Sequence, residues 1–344
     1  MDLVERARTE GTPLIDGDRA TFVWEGEGAP VLLASFAGWD PSRGVRLEPA
    51  GPGVWSHMAT LPSDAYVEYA YVRGSERVRD PFNDALVRGG VGPPNHFFRM
   101  PESRPSPYTA WRRGTPHGEL TRHEIDRGQG RRRAVHVYRP PATGPFPLLV
   151  VLDGQDYLRR VRLPTIVDNL VAARRMRPVA LAMIENARRG RTAEYASNDF
   201  MLLPLLDTVL PFAREVLALD ERPGAHGVIG SSLGGLFALY AGLRAPDIFG
   251  HVLAQSGTYA MAGRDFVVHD LVRHGPVRQL KVWLDCGTME RLIEGNRRMC
   301  ALLRERGYVM EYREFNGGHN WTSWRDDVWR GLEWLFPPAG EGGA

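Results

Sequence analysis

The amino-acid sequence predicts an α/β protein in which a mostly parallel sheet with helices on both faces follows a small all-β sandwich. Two observations support this prediction. Residues 10–100 contain short β-type runs separated by Gly, Pro and Asp clusters, which are typical of a sandwich. After residue 118, continuous apolar runs alternate with helical patterns, which is typical of a parallel sheet. A length of 344 residues is enough for two ordinary domains.

The composition argues against several classes of partner. Lys and Arg number 43, Asp and Glu number 41, and the formal net charge is +2, so we expect neither nucleic acid nor a membrane as a partner. Residues 1–6 are charged, which predicts no signal peptide. The cysteines, Cys286 and Cys300, are too few for a disulfide framework, so we expect a cytoplasmic location. No metal-ligand spacing or phosphate-binding loop occurs, and we expect no metal and no cofactor.

Changes in composition predict the domain boundaries. The short β-type runs predict a β-sandwich domain over residues 1–100. Residues 101–117 are rich in Pro and Arg, and we interpret them as a linker. A larger α/β domain is expected over residues 118–338, followed by a tail at 339–344.

Aromatic residues in the first domain allow two interpretations. They could form a platform on which sugars stack. They could instead fill the core of the sandwich, which we favour because large aromatic side chains dominate protein cores. The residues concerned are Trp24, Trp39, Trp55, Tyr66, Tyr69 and Tyr71.

The α/β domain contains one antiparallel pair and several buried strands. Alternating runs at 119–126 and 133–139, joined through residues 128–130, predict the antiparallel pair. Apolar residues at helical spacing predict a helix over 199–217, with a kink at Pro211. Continuous apolar runs, which are typical of strands buried on both faces, occur at 146–153 and 178–184, and further strands are predicted at 251–256, 280–287 and 309–315.

The segment around Ser232 has the form of a nucleophile elbow. An apolar β-type run ends in Gly-x-Ser-x-Gly, and a helical pattern follows at once. In the α/β-hydrolase fold, this strand-to-helix turn raises a serine Oγ above a parallel sheet. Ser232 lies between Gly230 and Gly234, whereas Ser231 lacks this spacing, so Ser232 is the predicted nucleophile. An ordinary Gly/Ser turn is the competing interpretation.

A serine nucleophile needs a base and an acid, which follow it in the order Ser, acid, His in α/β-hydrolases. His319 comes directly after the last predicted strand and two glycines, so it is the predicted base. Glu290 lies in the loop after the preceding strand, and we favour it as the acid that orients the histidine. Asp285, still within that strand, is the alternative acid.

Backbone amides are predicted to form the oxyanion hole. One donor is expected at Leu233, the residue after the nucleophile, and the other at Gly154 or Gln155 in the loop after the first buried strand. Arg188 and Arg191 follow another strand at the same end of the sheet. Either one of these arginines binds an acidic or polyphenolic substrate group, or both belong to a solvated loop. The predicted substrate-binding residues are Arg188, Arg191, Asp156 and Trp321.

Taken with these motifs, the chain resembles the enterochelin (ferric enterobactin) esterases, a family within the esterase-D-like α/β-hydrolases. The stretches that carry the resemblance in the α/β domain are 152–156, 191–195, 198–200, 210–211, 230–235 and 317–319. Residues 11–14, 21–24 and 80–83 are similar to the immunoglobulin-like sandwich at the N-terminus of that family. The resemblance therefore covers nearly the whole chain.

The resemblance implies a serine carboxylesterase that acts through an acyl-enzyme. Family members hydrolyse the esters of catecholate trilactones, so the implied substrate is a small-molecule ester, namely a ferric catecholate siderophore. Related sequences with Cys-Gly-Thr-x-Asp/Glu after the acid strand include feruloyl and acetyl esterases of plant polysaccharides. Residues 286–290 match that pattern, which supports Glu290 as the acid.

Two alternatives stay open. The first is a carbohydrate esterase that uses the sandwich as a sugar-binding module. The second is a binding protein built on an inactive hydrolase scaffold, against which the presence of both Ser232 and His319 argues. The sequence does not predict the oligomeric state.

Overall fold

The computed structural model describes residues 2–89, 92–126, 132–197 and 199–338. The predicted turn at 128–130, Asn198 and the predicted tail at 339–344 lie outside the described residues. The chain forms two compact units. The first contains the described residues up to Pro105 together with Gly287–Arg291 and Glu314–Ser323, and the second contains Ser106–Cys286, Leu292–Arg313 and the residues from Trp324 onward.

The first unit begins with a short helix, α1 (Leu3–Glu10), which Asp2 caps by accepting a hydrogen bond from the Glu5 amide at 2.8 Å. Its strands are β1 (Leu14–Asp16), β2 (Arg19–Glu25), β3 (Val31–Ala34), β4 (Val45–Arg46), β5 (Glu48–Gly51), β6 (Val54–Thr60), β7 (Tyr66–Arg73), β8 (Glu76–Val78), β9 (Leu86–Val87) and β10 (Asn95–Arg99). They form two antiparallel sheets, in the orders β1-β2-β6-β5 and β4-β3-β7-β10-β9, and β8 pairs with β7.

Aromatic side chains from both sheets fill the core of the first unit. Phe22 of β2 meets Tyr69 of β7 edge to face, with ring centroids 5.1 Å apart. Tyr71 is fully buried, Tyr66 is nearly so, and Trp24 is 9% exposed. Trp24, Tyr69 and Tyr71 therefore stabilise this core, whereas Tyr66 is buried outside it against Phe97, and none of the four presents a surface on which a sugar could stack. Trp39 and Trp55 are half-buried.

The second unit is built on an eight-stranded mixed sheet. Its strands are β11 (Glu119–Asp126), β12 (Arg132–Arg139), β13 (Leu148–Val151), β14 (Ala180–Ile184), β15 (His226–Ser231), β16 (Phe249–Gln255), β19 (Lys281–Gly287) and β20 (Val309–Phe315). A separate hairpin consists of β17 (Ala260–Met261) and β18 (Arg264–Asp265). The sheet order is β11-β12-β14-β13-β15-β16-β19-β20. β11, β12 and β14 pair antiparallel, and β14, β13, β15, β16 and β19 pair parallel, as the sequence predicts for a mostly parallel sheet.

Helices connect the strands of this sheet. They are α2 (Gly154–Asp156), α3 (Leu163–Ala172), α4 (Arg191–Tyr195), α5 (Asp199–Pro204), α6 (Leu210–Val216), α7 (Leu233–Arg244), α8 (Val268–His274), α9 (Ile293–Glu305) and α10 (Trp321–Leu335). None of the helices in the described part of the chain combines the length and the apolar character that a membrane span requires.

The segment predicted as one helix over 199–217 is divided. A π-helical turn, Leu205–Val209, separates α5 from α6, and Pro211 lies in the first turn of α6. Proline has no N–H and its ring clashes with the carbonyl four residues earlier, so the backbone before Pro211 widens. The distortion therefore precedes the proline rather than forming a kink at it.

Candidate active site

The backbone at Ser232 is held in a strained turn. β15 ends at Ser231, α7 begins at Leu233, and Ser232 between them has φ 60° and ψ −122°. Such a conformation in a residue with a side chain costs about 1–3 kcal/mol, and the surroundings must hold it in place. The Ser232 amide donates to the Gln255 carbonyl at 2.9 Å, and the Ser232 carbonyl accepts from the Thr258 amide at 3.1 Å. Ser231 is fully buried, whereas Ser232 is half-buried.

The glycines on either side of Ser232 allow the two arms of this turn to touch. A Cβ at Gly230 would overlap the carbonyl group of Gly234. Gly235 also lies close to the next strand, although less tightly, since a Cβ there would be 3.1 Å from the Gln255 carbonyl oxygen. The first glycine of the Gly-x-Ser-x-Gly pattern therefore has a steric cause, whereas a Cβ at Gly234 would make only an ordinary contact, 3.4 Å from Asp153 Oδ2.

The loop predicted to supply the second oxyanion donor lies after β13. Asp153 adopts a left-handed conformation, φ 52° and ψ 41°, and Gly154 begins α2. A Cβ at Gly154 would overlap the main chain of Met183 and Ile184, so only glycine fits there. Leu233, Gly154 and Gln155 are all among the first residues of their helices. The first amides of a helix have no partner within it, which suits them to bind an oxyanion.

A buried ion pair joins this loop to the turn at Ser232. Arg191 donates from Nε to Asp153 Oδ1 at 2.7 Å and from Nη2 to Asp153 Oδ2 at 2.6 Å. Its Nη2 also lies 3.3 Å from the Ser231 carbonyl oxygen. Burial lowers the pKa of Arg191, but hydrogen bonding to Asp153 and its charge outweigh this and raise the pKa. The sequence predicted Arg191 as a substrate-binding residue and gave Asp153 no role, although Asp153 follows a buried strand and lies in the stretch 152–156 that carries the family resemblance.

The other predicted substrate-binding residues are dispersed. Asp156 accepts a hydrogen bond from Arg160 Nε at 2.7 Å and from Gln155 Nε2 at 2.9 Å. Arg188 lines a groove of about 400 Å³. Charged side chains of β11 and β12 line the same groove, together with Glu185, which directly follows β14. Trp321 is the first residue of α10 and is half-buried.

In the first unit, the structure brings Glu290 and His319 together. Glu290 Oε2 lies 2.6 Å from His319 Nδ1, and Glu290 Oε1 accepts the Gly287 amide at 3.0 Å. The Glu290 side chain is fully buried, whereas that of His319 is 36% exposed. Because a carboxylate only accepts hydrogen bonds, Nδ1 carries the proton, and Nε2 is the nitrogen that can accept one.

Asp285, the alternative acid, belongs to a buried polar network of the second unit. It accepts hydrogen bonds from Trp283 Nε1 at 3.0 Å and from Gln255 Nε2 at 3.3 Å. Tyr157 donates to Gln255 Oε1 at 3.0 Å. Burial, followed by the charge of Asp285, raises the pKa of Tyr157 well above its ordinary value, so the phenol keeps its proton. This network fixes Gln255, whose carbonyl accepts the Ser232 amide.

Comparisons with known proteins agree with this chemistry. A family model described as "Putative esterase" matches residues 128–335. The chain is 28% identical over 277 residues to the iron(III) enterobactin esterase of Escherichia coli strain K12, covering 76% of this chain and 68% of that protein. The enterobactin esterase from Shigella flexneri, solved in the presence of enterobactin, superimposes with a TM-score of 0.74 at 22% identity and covers 92% of both chains. A ferulic acid esterase from Anaeromyces mucronatus gives 0.57 at 16% identity and covers 67% of this chain and 95% of that one.

Proposed function

Because the chain belongs to the Esterase family and is a carboxylic ester hydrolase, we propose that it cleaves the ester bonds of a ferric catecholate siderophore through an acyl-enzyme on Ser232. The substrate class is supported by relatives that are named iron(III) enterobactin esterases. The observation that carries the chemistry is the charge-assisted pair between Glu290 and His319, 2.6 Å long, in a chain that also holds Ser232 in a strained strand-to-helix turn.

The proposed reaction has two halves. Ser232 Oγ forms a bond to the ester carbonyl carbon while its proton passes to His319 Nε2, and the bond to the alcohol oxygen then breaks. His319 returns that proton to the leaving alkoxide. In the second half, water attacks the acyl-enzyme, His319 takes the water proton, and the acid is released as Ser232 regains its proton. Glu290 holds the imidazole and stabilises its positive charge.

The amides of Leu233 and of Gly154 or Gln155 are the proposed oxyanion donors. Leu233 begins α7, and Gly154 and Gln155 begin α2. Preorganised amides stabilise the negative charge that develops on the carbonyl oxygen, and removing one such donor typically costs about 10²–10³-fold in rate. The Arg191–Asp153 pair supports this assignment because it links the loop that carries one donor to the strand that precedes the other.

A carbohydrate esterase is the alternative, in which the sandwich would bind sugar. The ferulic acid esterase shares the fold over only 67% of this chain. The buried state of Trp24, Tyr66, Tyr69 and Tyr71 leaves half-buried Trp39 and Trp55 as the aromatic side chains of the original set that sugars could reach. We therefore favour the siderophore ester.

Several finer predictions belong to this proposal. We propose that the first unit is an immunoglobulin-like sandwich, which its two antiparallel sheets and shared aromatic core support. The domain boundaries at residues 100, 117 and 338 and the cytoplasmic location stay predictions. Arg188 and Trp321 are kept as proposed substrate contacts, together with Asp156 and Arg191.

The proposal is tested by incubating the purified protein with ferric enterobactin and with its iron-free trilactone and identifying the products by mass. Feruloyl and acetyl sugar esters are assayed in parallel, and the Ser232→Ala variant is the control. Stepwise release of dihydroxybenzoyl-serine, faster than hydrolysis of the sugar esters, is the expected result. Rapid hydrolysis of the sugar esters, with no hydrolysis of the trilactone, would contradict the proposed siderophore substrate but would be consistent with the proposed serine esterase mechanism.

A further inference from the structure

The two loops that carry Glu290 and His319 follow strands of the large sheet, yet they belong by their contacts to the first unit. We call Gly287–Arg291 and Glu314–Ser323 the acid–base loops. We propose that the β-sheets of the first unit hold these loops in the geometry that orients the His319 imidazole, and that Asn316 and Asp64 are positioning residues. This inference rests on the proposed function, since it assigns to the first unit a part in the same reaction.

A chain of side-chain hydrogen bonds ties both loops to the turn between β6 and β7. Asn316 Nδ2 donates to Asp64 Oδ1 at 2.7 Å, and Thr288 Oγ1 donates to Asn316 Oδ1 at 3.0 Å. The main-chain carbonyl of Asn316 accepts the Tyr66 amide at 3.0 Å. Asn316 therefore connects the loop of His319 to the loop of Glu290, and both to the first residues of β7.

A second contact lies directly before His319. A Cβ at Gly318 would be 2.7 Å from both Cβ and Oγ of Ser35, so the main chain of this loop rests against Ser35. Ser35 is fully buried and begins a 3-10 turn, and its Oγ accepts the Glu68 amide at 3.2 Å. The residue before the proposed base is thus supported by a buried, hydrogen-bonded residue of the first unit.

The residues on either side of Glu290 are held in a similar way. Met289 packs against the aromatic core of the sandwich. Arg291 donates from Nε to the Gly38 carbonyl at 2.9 Å, and its guanidinium lies 4.0 Å from Asp40. The carboxylate between them is therefore anchored from both sides by the first unit.

These contacts matter because the Glu290–His319 hydrogen bond fixes the imidazole only relative to the carboxylate. The position of both groups is set by the backbone of the loops, and a displacement of about 1 Å in a catalytic group can cost about 10²-fold in rate. The catalytic rate constant should therefore depend on side chains of the sandwich that contact no substrate. The Michaelis constant should change much less than the rate constant, because Trp321 alone among the four proposed substrate contacts lies in these loops.

The test uses the full-length protein and a 4-nitrophenyl ester, with kcat, KM and the thermal midpoint measured for each variant. Asn316→Ala removes both side-chain bonds and should lower kcat about tenfold or more, with KM within about twofold of the wild type. Asp64→Ala should show a smaller loss, and Asp64→Asn, which keeps an acceptor oxygen, should restore the rate. Asp84→Ala is the matched control, because it removes an exposed ion pair of the same unit, with Arg79, that does not involve the acid–base loops.

A double variant identifies the route of the effect. If Asp64 acts through Asn316, then Asp64→Ala combined with Asn316→Ala should be no slower than Asn316→Ala alone. The rate of labelling by a fluorophosphonate, which requires an activated serine, should fall in parallel with kcat. Should Asn316→Ala be unfolded at the assay temperature, Thr288→Val removes one bond of the same chain and should still lower kcat with unchanged KM.

The outcomes separate this inference from the function on which it rests. If the wild type is active and a folded Asn316→Ala variant has the same kcat, the positioning role is overturned and the proposed function is not. A fall in rate that is the same for Asp84→Ala, or that tracks the thermal midpoint in every variant, also overturns it. A wild-type protein without esterase activity, or an active Ser232→Ala variant, overturns the proposed function and the positioning role together.

Discussion

The segment around Ser232 and the pair formed by Glu290 and His319 are held by different kinds of contact. Ser232 is shaped by glycines within two residues of it and by the adjacent strand β16. Glu290 and His319 lie 29 residues apart, and their loops are anchored by bonds that span 252 and 253 residues, from Asn316 to Asp64 and from Arg291 to Gly38. The glycines that shape the turn at Ser232 are thus close to it in the sequence, whereas the residues that anchor the acid–base loops are distant in the sequence.

This difference has a consequence for mutations. Substitutions that displace the backbone of the turn at Ser232, such as Gly230→Ala below, alter a segment packed inside a large sheet, so stability and activity should fall together. Changes in the contacts of the acid–base loops affect partly exposed hydrogen bonds, which contribute about 0.5–1.5 kcal/mol each, so activity should fall with little loss of stability. The predictions below test this contrast.

The largest effect is expected from Ser232→Ala. Without the hydroxyl no acyl-enzyme can form, so kcat on any activated ester should fall by about 10⁴-fold or more. The fold should remain intact, because the alanine amide still donates to the Gln255 carbonyl and its carbonyl still accepts from the Thr258 amide. Ser231→Ala is the matched control and should keep most of the activity, since that side chain is fully buried. Steady-state kinetics on a 4-nitrophenyl ester measure both, and equal rates for the two variants would refute Ser232 as the nucleophile.

The next effect distinguishes the two candidate acids. Glu290→Gln replaces the carboxylate that bonds His319 Nδ1 by an amide of the same shape, and kcat should fall by about 10³-fold or more. Asp285→Asn should change kcat by less than about tenfold, because Asp285 instead accepts hydrogen bonds from Trp283 and Gln255. Its main effect should appear as a lower free energy of unfolding. A larger rate loss for Asp285→Asn than for Glu290→Gln would reverse the assignment.

A matched pair of glycine substitutions compares the two regions directly. Gly230→Ala would place a Cβ against the carbonyl of Gly234, and no side-chain movement relieves that overlap. We expect it to lower the free energy of unfolding by about 3 kcal/mol and to abolish activity. Gly318→Ala meets the Ser35 side chain at 2.7 Å, so its loop should move instead. Its cost in stability should be about 1 kcal/mol, with kcat lowered about tenfold. Urea unfolding and steady-state kinetics measure both quantities, and equal stability losses would contradict the contrast.

The same contrast explains what could be predicted from the sequence. The mostly parallel order of β14, β13, β15, β16 and β19 followed from their continuous apolar runs, because strands buried on both faces carry no alternation. The turn at Ser232 was recognisable because the whole Gly-x-Ser-x-Gly pattern lies within two residues of the serine, and Gly230, which has no room for a Cβ, is part of it. Local sterics leave a local signature in the sequence.

Contacts between distant residues left no such signature. The Asp153–Arg191 pair joins residues 38 apart, and each residue type alone is common on protein surfaces. The support of Gly318 by Ser35 and of Asn316 by Asp64 depends on how the first unit folds, which the pattern of either segment does not predict. Pro211 was read correctly as a helix disruptor, but the π-helical turn at Leu205–Val209 depends on how the backbone adjusts to it.

The smallest expected effect is on the free energy of unfolding at acidic pH. It concerns a histidine of the large sheet that has no role in the proposed reaction. His251 of β16 stacks on Phe336 with ring centroids 4.8 Å apart. Burial, followed by the positive charge of Arg177, lowers the pKa of His251 to about 4. In the unfolded chain its pKa would be about 6.5. Above pH 6.5 the imidazole is neutral in both states, so its stabilising contribution is fully present, and this contribution is lost as the pH falls through the folded-state value.

A His251→Phe variant isolates this contribution. Between pH 7.5 and pH 5, the wild type should lose about 2 kcal/mol more free energy of unfolding than the variant, because at pH 5 the unfolded chain binds a proton at His251 that the folded protein excludes. Phenylalanine keeps the stack on Phe336, and kcat at pH 7.5 should not change, since His251 has no role in the proposed reaction. Urea unfolding followed by tryptophan fluorescence gives both differences. If wild type and variant lose the same stability, His251 binds a proton as readily in the folded sheet as in the unfolded chain, and acid weakens the protein through other groups.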